Sequence, residues 1–355
     1  MKRRVLGRTG MEVARLGYGA IKLPQVSAEV AADLIGRAID LGVNFIDTAR
    51  GYGDSEEKIG QVMAKRRDEV YLASKVIRRS REEAEEDIAT SLKLLQTDCI
   101  DLYQIHDVSS RENYERATGP GGALDAVRAA KDQGRIRFIG VSGHNLDLLM
   151  EAIDTGWFDS VQVAYNLANS AAAEKLLPRA QELNMGVINM KPLGGGNLPK
   201  PVELHDDVDS KYEVTAEAAL RFCMSNPDVT VVIPGMRAME ELEENVATAE
   251  SFEPMSQDDA ARYTDMAKSL GKGFCRACNY CQPCEAEIEI SGILQTLGYR
   301  KRFQGDYDFY HRMRVQYASF DKAVDDCLDC GECEGRCPYE LPIREMLAEA
   351  KDMLG

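Results

Sequence analysis

Positive charge is in short supply in this 355-residue sequence: 43 Lys and Arg stand against 59 Asp and Glu, a formal net charge of −16. A chain of that sign is repelled by phosphate backbones and anionic headgroups, which argues against nucleic acid or an acidic membrane as a partner. Long apolar runs are missing as well; none approaches the roughly 20 residues that cross a bilayer. The start, Met1-Lys-Arg-Arg-Val-Leu-Gly7, has no apolar signal-peptide core, and low-complexity segments are absent. The expectation is a soluble cytoplasmic protein. Histidine is rare, at four residues, so one that falls inside a motif carries weight.

Cysteine is present but unevenly placed. Of ten residues, eight fall in two runs, Cys275-Arg-Ala-Cys278-Asn-Tyr-Cys281-Gln-Pro-Cys284 and Cys327-Leu-Asp-Cys330-Gly-Glu-Cys333-Glu-Gly-Arg-Cys337-Pro338. The second run has the bacterial ferredoxin spacing, with Pro after the fourth Cys. In two-cluster ferredoxins the fourth Cys of each run serves the other cluster. On that pattern Cys275, Cys278, Cys281 and Cys337 hold one 4Fe–4S cluster, and Cys327, Cys330, Cys333 and Cys284 hold a second. Two other uses compete. Structural zinc favours two separated pairs over an unbroken run of four, and disulfides need an oxidising compartment. The first run departs from the pattern at Cys284, which follows Cys281 by the shorter spacing and precedes Glu285 in place of Pro.

Ahead of these runs the chain reads as an α/β fold. After a polar start that fits a capping hairpin, short apolar runs at 13–20, 44–49, 70–76, 99–105, 135–141, 160–165, 186–190 and 229–233 read as strands. Amphipathic stretches lie between them. The stretch 27–41 places Val30, Leu34, Ile35, Ala38 and Ile39 on one helical face. The stretch 80–95 opens on Ser80 and an acidic first pair of turns, which favours a helix N-terminus. Others begin at Gly122, Leu146, Ala171, Thr215 and Met239, and Leu41-Gly42 and Gln133-Gly134 read as helix stops. Such alternation builds a parallel sheet. Eight repeats ending near residue 250 favour a closed (β/α)8 TIM barrel over an open doubly wound sheet. A dinucleotide-binding open sheet also wants G-x-G-x-x-G after its first strand, and Gly17-Tyr-Gly19-Ala-Ile-Lys22 lacks the third glycine. The expected organisation is a barrel over 1–270 and a small α-helical ferredoxin-like domain over 271–355.

Chemistry in such barrels sits at the C-terminal ends of strands. Polar residues gather there: Asp47, Lys75, His106, Ser142, Asn145, Gln162 and Asn166. Three stretches, Phe45-Ile-Asp47-Thr48-Ala49-Arg-Gly-Tyr52-Gly53-Asp-Ser55-Glu56, Leu72-Ala-Ser-Lys75 and Asp101-Leu-Tyr103-Gln104-Ile-His106, occur in order at these ends. With them the chain resembles the aldo-keto reductases over about residues 5–249. The resemblance implies an NADPH- or NADH-dependent oxidoreductase with a catalytic tetrad of Asp47, Tyr52, Lys75 and His106. Singly, a strand-end Tyr is packing, an Asp–Lys pair is structural, and a lone His is a satisfied polar group. All four in this order favour catalysis. Hydride delivered to a carbonyl carbon leaves charge on oxygen, so a proton donor is needed in a dry pocket. Tyr52 fits that role, with a phenol whose ordinary pKa is about 10. A neighbouring Lys75 ammonium is expected to lower it, Asp47 to hold Lys75, and His106 to orient the carbonyl oxygen or assist the proton donor.

The resemblance also implies cofactor contacts. Ser142, with Asn145 or His144 in place of the usual Asn, from Gly140-Val-Ser-Gly-His-Asn145, and Gln162 map to the nicotinamide carboxamide. Met190, Lys191, Pro192 and Leu193 replace a Tyr-Ser-Pro-Leu stretch against the ring, and Met190 offers a polarizable thioether. Gly235, Arg237, Glu244 and Asn245 map to the adenine end. Gly235 stands where many members carry Lys, and Glu241 where many carry Arg. A carboxylate repels a 2′-phosphate, and Arg237 is the cation nearby in sequence. NADH and NADPH both remain open.

The spacer 285–326 holds Tyr299, Phe303, Tyr307, Phe309, Tyr310, Tyr317 and Phe320. It is too long for a minimal ferredoxin and resembles the helical iron–sulfur tail of a subgroup of aldo-keto reductase-like proteins. Three functions follow: a carbonyl reductase with an appended two-cluster domain, an electron-transfer protein whose barrel docks or regulates, and clusters that only staple the tail. No flavin signature links hydride to single electrons. A small-molecule carbonyl substrate and a redox partner protein are the expected partners, and the loops 111–122 and 197–214 set the substrate.

Overall fold

The computed structural model describes residues 1–196, 214–269, 275, 281–302, 307–320, 322, 324–337 and 339–355. Cys278, Phe303, Pro338 and almost all of the loop 197–214 lie outside these residues. The chain divides into two compact units, Met1–Leu193 with Ala216–Ser256, and Gly194–Thr215 with Gln257–Gly355.

The first unit begins with an antiparallel hairpin, β1 (Arg3–Val5) and β2 (Glu12–Ala14). Eight parallel strands follow: β3 (Tyr18–Gly19), β4 (Phe45–Asp47), β5 (Tyr71–Val76), β6 (Ile100–Ile105), β7 (Ile136–Gly143), β8 (Ser160–Ala164), β9 (Gly186–Met190) and β10 (Val231–Ile233). Each pairs with the next in chain order. Parallel bridges Leu16↔Val232 and Gly19↔Gly235 join the first strand to the last, and the Gly17 and Gly19 amides donate to the Val232 and Pro234 carbonyls at 2.9 and 3.0 Å. The sheet is therefore a closed barrel, as expected. Closure at Gly19 demands glycine, because a Cβ there would lie 2.7 Å from the Ile233 carbonyl oxygen.

One expected strand is corrected. The run 13–20 divides between hairpin and barrel, since the hairpin must turn off the wall to plug the barrel. Leu6, Met11 and Val13 pack with Phe45, Leu102, Ile188 and Val231 inside it. The plug fills one end with apolar side chains, and Asp47, Lys75 and Gln104 are buried nearer the strands' C-terminal ends.

Helices α1 (Ala28–Asp40), α2 (Ser55–Arg66), α3 (Arg81–Leu94), α4 (Arg111–Thr118), α5 (Ala123–Asp132), α6 (Leu146–Asp154), α7 (Leu176–Glu182), α8 (Ala216–Ser225) and α9 (Met239–Glu250) connect the strands. Their ends follow local chemistry. Ser27 caps α1 by accepting from the Val30 amide, and Ser80 caps α3 by accepting from the Glu83 amide. α1 turns Leu34, Ile35 and Ala38 into the core.

The second unit carries α10 (Gln257–Ser269), α11 (Ile290–Arg302), α12 (Tyr307–Ala318), α13 (Glu332–Gly335) and α14 (Ile343–Leu354). Ile293, Leu294, Leu297, Ile343 and Leu347 form its core, with Tyr317 and Phe320 packed against it. Among the described residues, no helix is long and apolar enough to cross a membrane.

Candidate active site and cysteine pocket

The barrel's polar layer is built by alternation along parallel strands. Residues two apart point to the same side, so Phe45 and Asp47, Ala73 and Lys75, and Leu102 and Gln104 form successive layers. Pairing brings Lys75 beside Gln104 and Gln104 beside Gly140. Gly140 leaves the needed space, as a Cβ there would lie 2.6 Å from Ser160 Oγ and 2.8 Å from Gln104 Cγ.

Lys75 is fully buried and Asp47 is 2% exposed. Lys75 Nζ donates to Asp47 Oδ1 at 2.6 Å and to the Thr48 carbonyl at 2.8 Å. Gln104 Nε2 donates to Asp47 Oδ2 at 3.1 Å, and Gln162 Nε2 to Oδ1 at 3.4 Å. Burial pushes the Asp47 carboxyl up, against the pull of the donors Lys75, Gln162 and Gln104. Burial also opposes charge on Lys75, but Asp47 and then Tyr52 reverse it and hold the ammonium above its ordinary value. Three donors converge on Asp47, which fits an ion pair rather than a neutral acid.

Tyr52 arrives on the turn after β4. The Thr48 and Arg50 amides donate to the Ala73 and Lys75 carbonyls at 2.9 and 3.1 Å, and the Tyr52 amide donates to Ala49 at 3.0 Å. Buried Glu56 accepts from Ser74 Oγ at 2.6 Å and pairs with Arg50, tying the start of α2 to β5. Lys75 Nζ lies 5.0 Å from the centroid of the Tyr52 ring. The His106 ring meets Tyr52 edge-on, 5.7 Å between centroids at 79°. All four tetrad residues are thus brought together.

Two proton affinities differ from simple expectation. Tyr52 ends above its ordinary value, because burial outweighs the downward pull of Lys75 and Asp47 adds to the rise. His106 is pushed well below its ordinary value by burial, then by Lys75 and Arg79. The site therefore presents a neutral imidazole and a protonated phenol at neutral pH. His144 also bears on His106, and burial with Lys191 pushes its own imidazole down to about 3.

The expected cofactor contacts fall into groups. Gln162 and Gln104 each keep a buried carbonyl oxygen, Oε1, without a partner, and His106 keeps an unpartnered Nδ1. An amide such as a nicotinamide carboxamide has the donors for such oxygens, so these residues fit the group. Ser142 Oγ accepts from the Asp107 amide at 3.1 Å. Asn145 Oδ1 is committed to capping α6, accepting from the Asp147 and Leu148 amides at 3.1 Å each. Met190 ends β9, half-buried, and Lys191 follows at φ +54°, in the left-handed region, its carbonyl accepting from Asn166 Nδ2 at 2.9 Å. Pro192 is buried and Leu193 half-buried. Gly235 follows β10, Arg237 is exposed, Glu244 is exposed, and Asn245 is buried on α9.

Sequence reasoning missed two residues. Gln104 as an Asp47 donor was signalled by period-two alternation from His106. Lys22 had no sequence signal: it lies on the turn after β3, and a Cβ on Gly235 would fall 3.3 Å from its Cγ.

In the second unit, Cys281, Cys284, Cys327, Cys330 and Cys333 line one pocket. Cys275, Cys281 and Cys333 are buried in the same apolar core, against which Cys284, Cys327 and Cys337 pack. Among the described residues, no three Cys, His, Asp or Glu gather as ligands of a single metal ion. A multi-iron cluster spaces its ligands more widely than one ion does, and an all-thiol donor set in an apolar pocket suits iron–sulfur.

Fold and site define a (β/α)8-barrel oxidoreductase with a helical cysteine-rich unit. Residues 15–268 match the aldo/keto reductase family, and residues 274–342 match a 4Fe-4S dicluster domain. L-galactose dehydrogenase of Arabidopsis thaliana is 30% identical, the match covering 72% of this chain and 90% of that protein. The NADH-specific methylglyoxal reductase of Escherichia coli is 26% identical, covering 76% and 99%. The structure of an aldo/keto reductase from Klebsiella pneumoniae in complex with NADP and acetate is similar at a TM-score of 0.63 and 25% identity, covering 75% and 95%. The chain belongs to the aldo/keto reductase family and carries a C-terminal 4Fe-4S dicluster domain.

Proposed function

We propose that this protein reduces a small aldehyde or ketone to the alcohol with NADH or NADPH, and that its C-terminal domain holds two 4Fe–4S clusters. The observation that carries the reading is the buried Asp47–Lys75 ion pair set beside Tyr52 and His106 at the barrel's C-terminal end. When bound, the dinucleotide supplies a hydride. Gln162, through its unpartnered Oε1, holds the carboxamide, with Ser142 and Asn145 beside it. Met190, Lys191, Pro192 and Leu193 line the ring side, and Gly235, Arg237, Glu244 and Asn245 the adenosine side. His106, neutral, donates a hydrogen bond to the substrate oxygen and orients it. Tyr52 gives its proton to that oxygen as hydride reaches the carbon, and the phenolate so formed is stabilised by Lys75 until solvent returns the proton. Asp47 keeps Lys75 charged and aimed. Family resemblance at the matched positions and the geometry support these roles.

The domain division we favour is 1–270 and 271–355, supported by family matches that end at 268 and resume at 274. Within the second domain, Cys275, Cys278, Cys281 and Cys337 hold one cluster, and Cys327, Cys330, Cys333 and Cys284 the other. Cys284 lines the same pocket as Cys327, Cys330 and Cys333, as the crossed set requires, and Cys281 of the other set borders that pocket too. Each cluster supplies one-electron chemistry. Cys330 is exposed, which favours exchange with a redox partner protein over a purely structural staple. The reducing cytoplasm suits such thiolate ligands.

The test is Tyr52→Phe. Losing a general acid lowers turnover by about 10²–10⁴-fold, while dinucleotide binding is retained. Unchanged turnover with any carbonyl substrate removes Tyr52 from the role, and a barrel that only docks a partner gives no turnover in either form.

A further inference from the structure

Just after β5, two arginines stand side by side in the chain and are used in different ways. Arg78 spends its guanidinium on carboxylates, pairing with Glu86 and Asp87 at 2.9 Å each. Arg79 makes no ion pair among the described residues; the charges within its electrostatic reach are Asp107 and Arg116. Its fork goes to main chain. Nη1 donates to the His106 carbonyl at 2.6 Å and Nη2 to the Asp107 carbonyl at 3.2 Å. A half-buried arginine that takes two successive carbonyls in place of a carboxylate needs a reason.

The reason lies in Asp107. Its φ of +53° is in the left-handed region, which side chains with a Cβ rarely adopt. A residue held there persists only where its surroundings over-determine it. Here every main-chain polar group of His106 and Asp107 has a partner. The His106 amide donates to the Val76 carbonyl at 3.1 Å, and the Asp107 amide donates to Ser142 Oγ at 3.1 Å. Both carbonyls go to Arg79. The Val108 amide then donates to the Ser142 carbonyl at 2.9 Å, and Ser109 Oγ donates to the Asp107 carboxylate. The ends of β5 and β7 therefore hold the amides of this turn. Among the described residues, Arg79 holds its carbonyls alone.

Arg79 is itself anchored to the segment between α4 and α5. Its carbonyl accepts from the Ala123 amide at 2.8 Å, the Arg81 amide donates to the Gly121 carbonyl at 2.8 Å, and Ser80 bridges Gly122. Lysine could not do the same work. An ammonium is a point donor on a flexible stem, whereas a guanidinium presents its N–H groups in one rigid plane. After burial and Lys75, Arg79 is also the next influence on the His106 imidazole.

We propose that Arg79 is a positioning residue for carbonyl reduction: its guanidinium fixes the main chain at His106 and Asp107, and so aims the His106 ring at the substrate oxygen. This rests on the reading that His106 orients that oxygen. Arg79 touches neither substrate nor dinucleotide in this role; it acts through His106.

Kinetics with benzaldehyde as the probe carbonyl, and NMR of isotope-labelled histidine, both on the intact protein, test it. Arg79→Met is expected to lower kcat by roughly 10- to 100-fold, the cost of a displaced catalytic group, with dinucleotide affinity as before. Arg79→Lys keeps the charge and loses the fork, and is expected to fall nearly as far. Adding Arg79→Met to His106→Ala lowers the rate no further, because residues acting as one unit lose their function once. The ring signal of His106, identified by its loss in His106→Ala among only four histidines, shifts in both Arg79 variants. Full turnover in Arg79→Lys, a loss that multiplies that of His106→Ala, or an unmoved His106 signal overturns the assignment. A His106→Ala variant with unaltered turnover overturns the underlying reading as well. A loss in His106→Ala with none in Arg79→Met overturns Arg79 alone.

Discussion

The two units treat buried polar chemistry in opposite ways. In the barrel, Lys75 at 0% and Asp47 at 2% exposure are sealed together, with Gln104, Gln162 and the Thr48 carbonyl completing their hydrogen bonds. In the second unit, Cys275, Cys281 and Cys333 share a core with Ile293 and Leu294, and the pocket their neighbours line opens to a solvent-exposed Cys330. In the barrel's site the buried charges Asp47 and Lys75 pair with each other and are held by polypeptide donors and acceptors. The cysteine unit spends core positions on sulfur, in a stretch too short to build a large apolar interior, and such small units need a metal or disulfide staple. One site is preorganised by folding. The other is finished by what it binds.

Three experiments bear on this contrast, in falling order of effect. Anaerobic iron chelation is expected to abolish hydrogen-exchange protection in α11 and α14 while β5 to β8 keep theirs, because metal binding and folding are coupled in such domains. Protected α11 and α14 amides in iron-free protein would show that the unit stands on its apolar core alone. Lys75→Met is next. It leaves Asp47 buried without its counter-charge, a loss of about 3–5 kcal/mol, read from the denaturant midpoint of the barrel. Adding Asp47→Asn restores part of that loss, since the unpaired charge is then gone. An equal midpoint in Lys75→Met would mean that water, not the strand partner, solvates Asp47.

The smallest effect is a flat pH profile. With His106 pushed well below its ordinary value and Tyr52 above its own, neither group changes protonation between roughly pH 6.5 and 8. Reduction needs the protonated phenol, so its rate falls only on the alkaline side, as Tyr52 ionises. Oxidation of the alcohol needs the phenolate and rises there. A reduction rate that falls on acidification through the ordinary histidine range would show that His106 titrates in the exposed manner.

Much of the barrel was legible because parallel strands are buried on both faces and interrupt the helical periodicity at regular intervals. The tetrad was legible because three of its members lie at the ends of such strands, and Tyr52 follows Asp47 on a short turn. What could not be read is instructive. The run 13–20 carries one apolar pattern, yet Val13 belongs to the plug and Tyr18 to the wall, and only closure against Val232 divides them. Asn145 looks like a free amide in sequence, but its position before Leu146 makes it a helix cap. Lys22 and Gly235 meet only because the barrel closes. The net rise of Tyr52 reflects burial, which a list of charged neighbours does not contain.

Barrel closure also has a consequence in time. The bridges Leu16↔Val232 and Gly19↔Gly235 join segments separated by most of the first unit. At about 5–20 residues per second, synthesis takes on the order of ten to forty seconds to deliver the last strand after the first. Through that interval the outer edge of β3 has no neighbour, and an unpaired strand edge is a template for association with other chains. β3 is two residues long, with glycines at 17 and 19 flanking Tyr18. So short and glycine-rich an edge offers a poor template, and the nascent chain waits for its closing strand with little to lose.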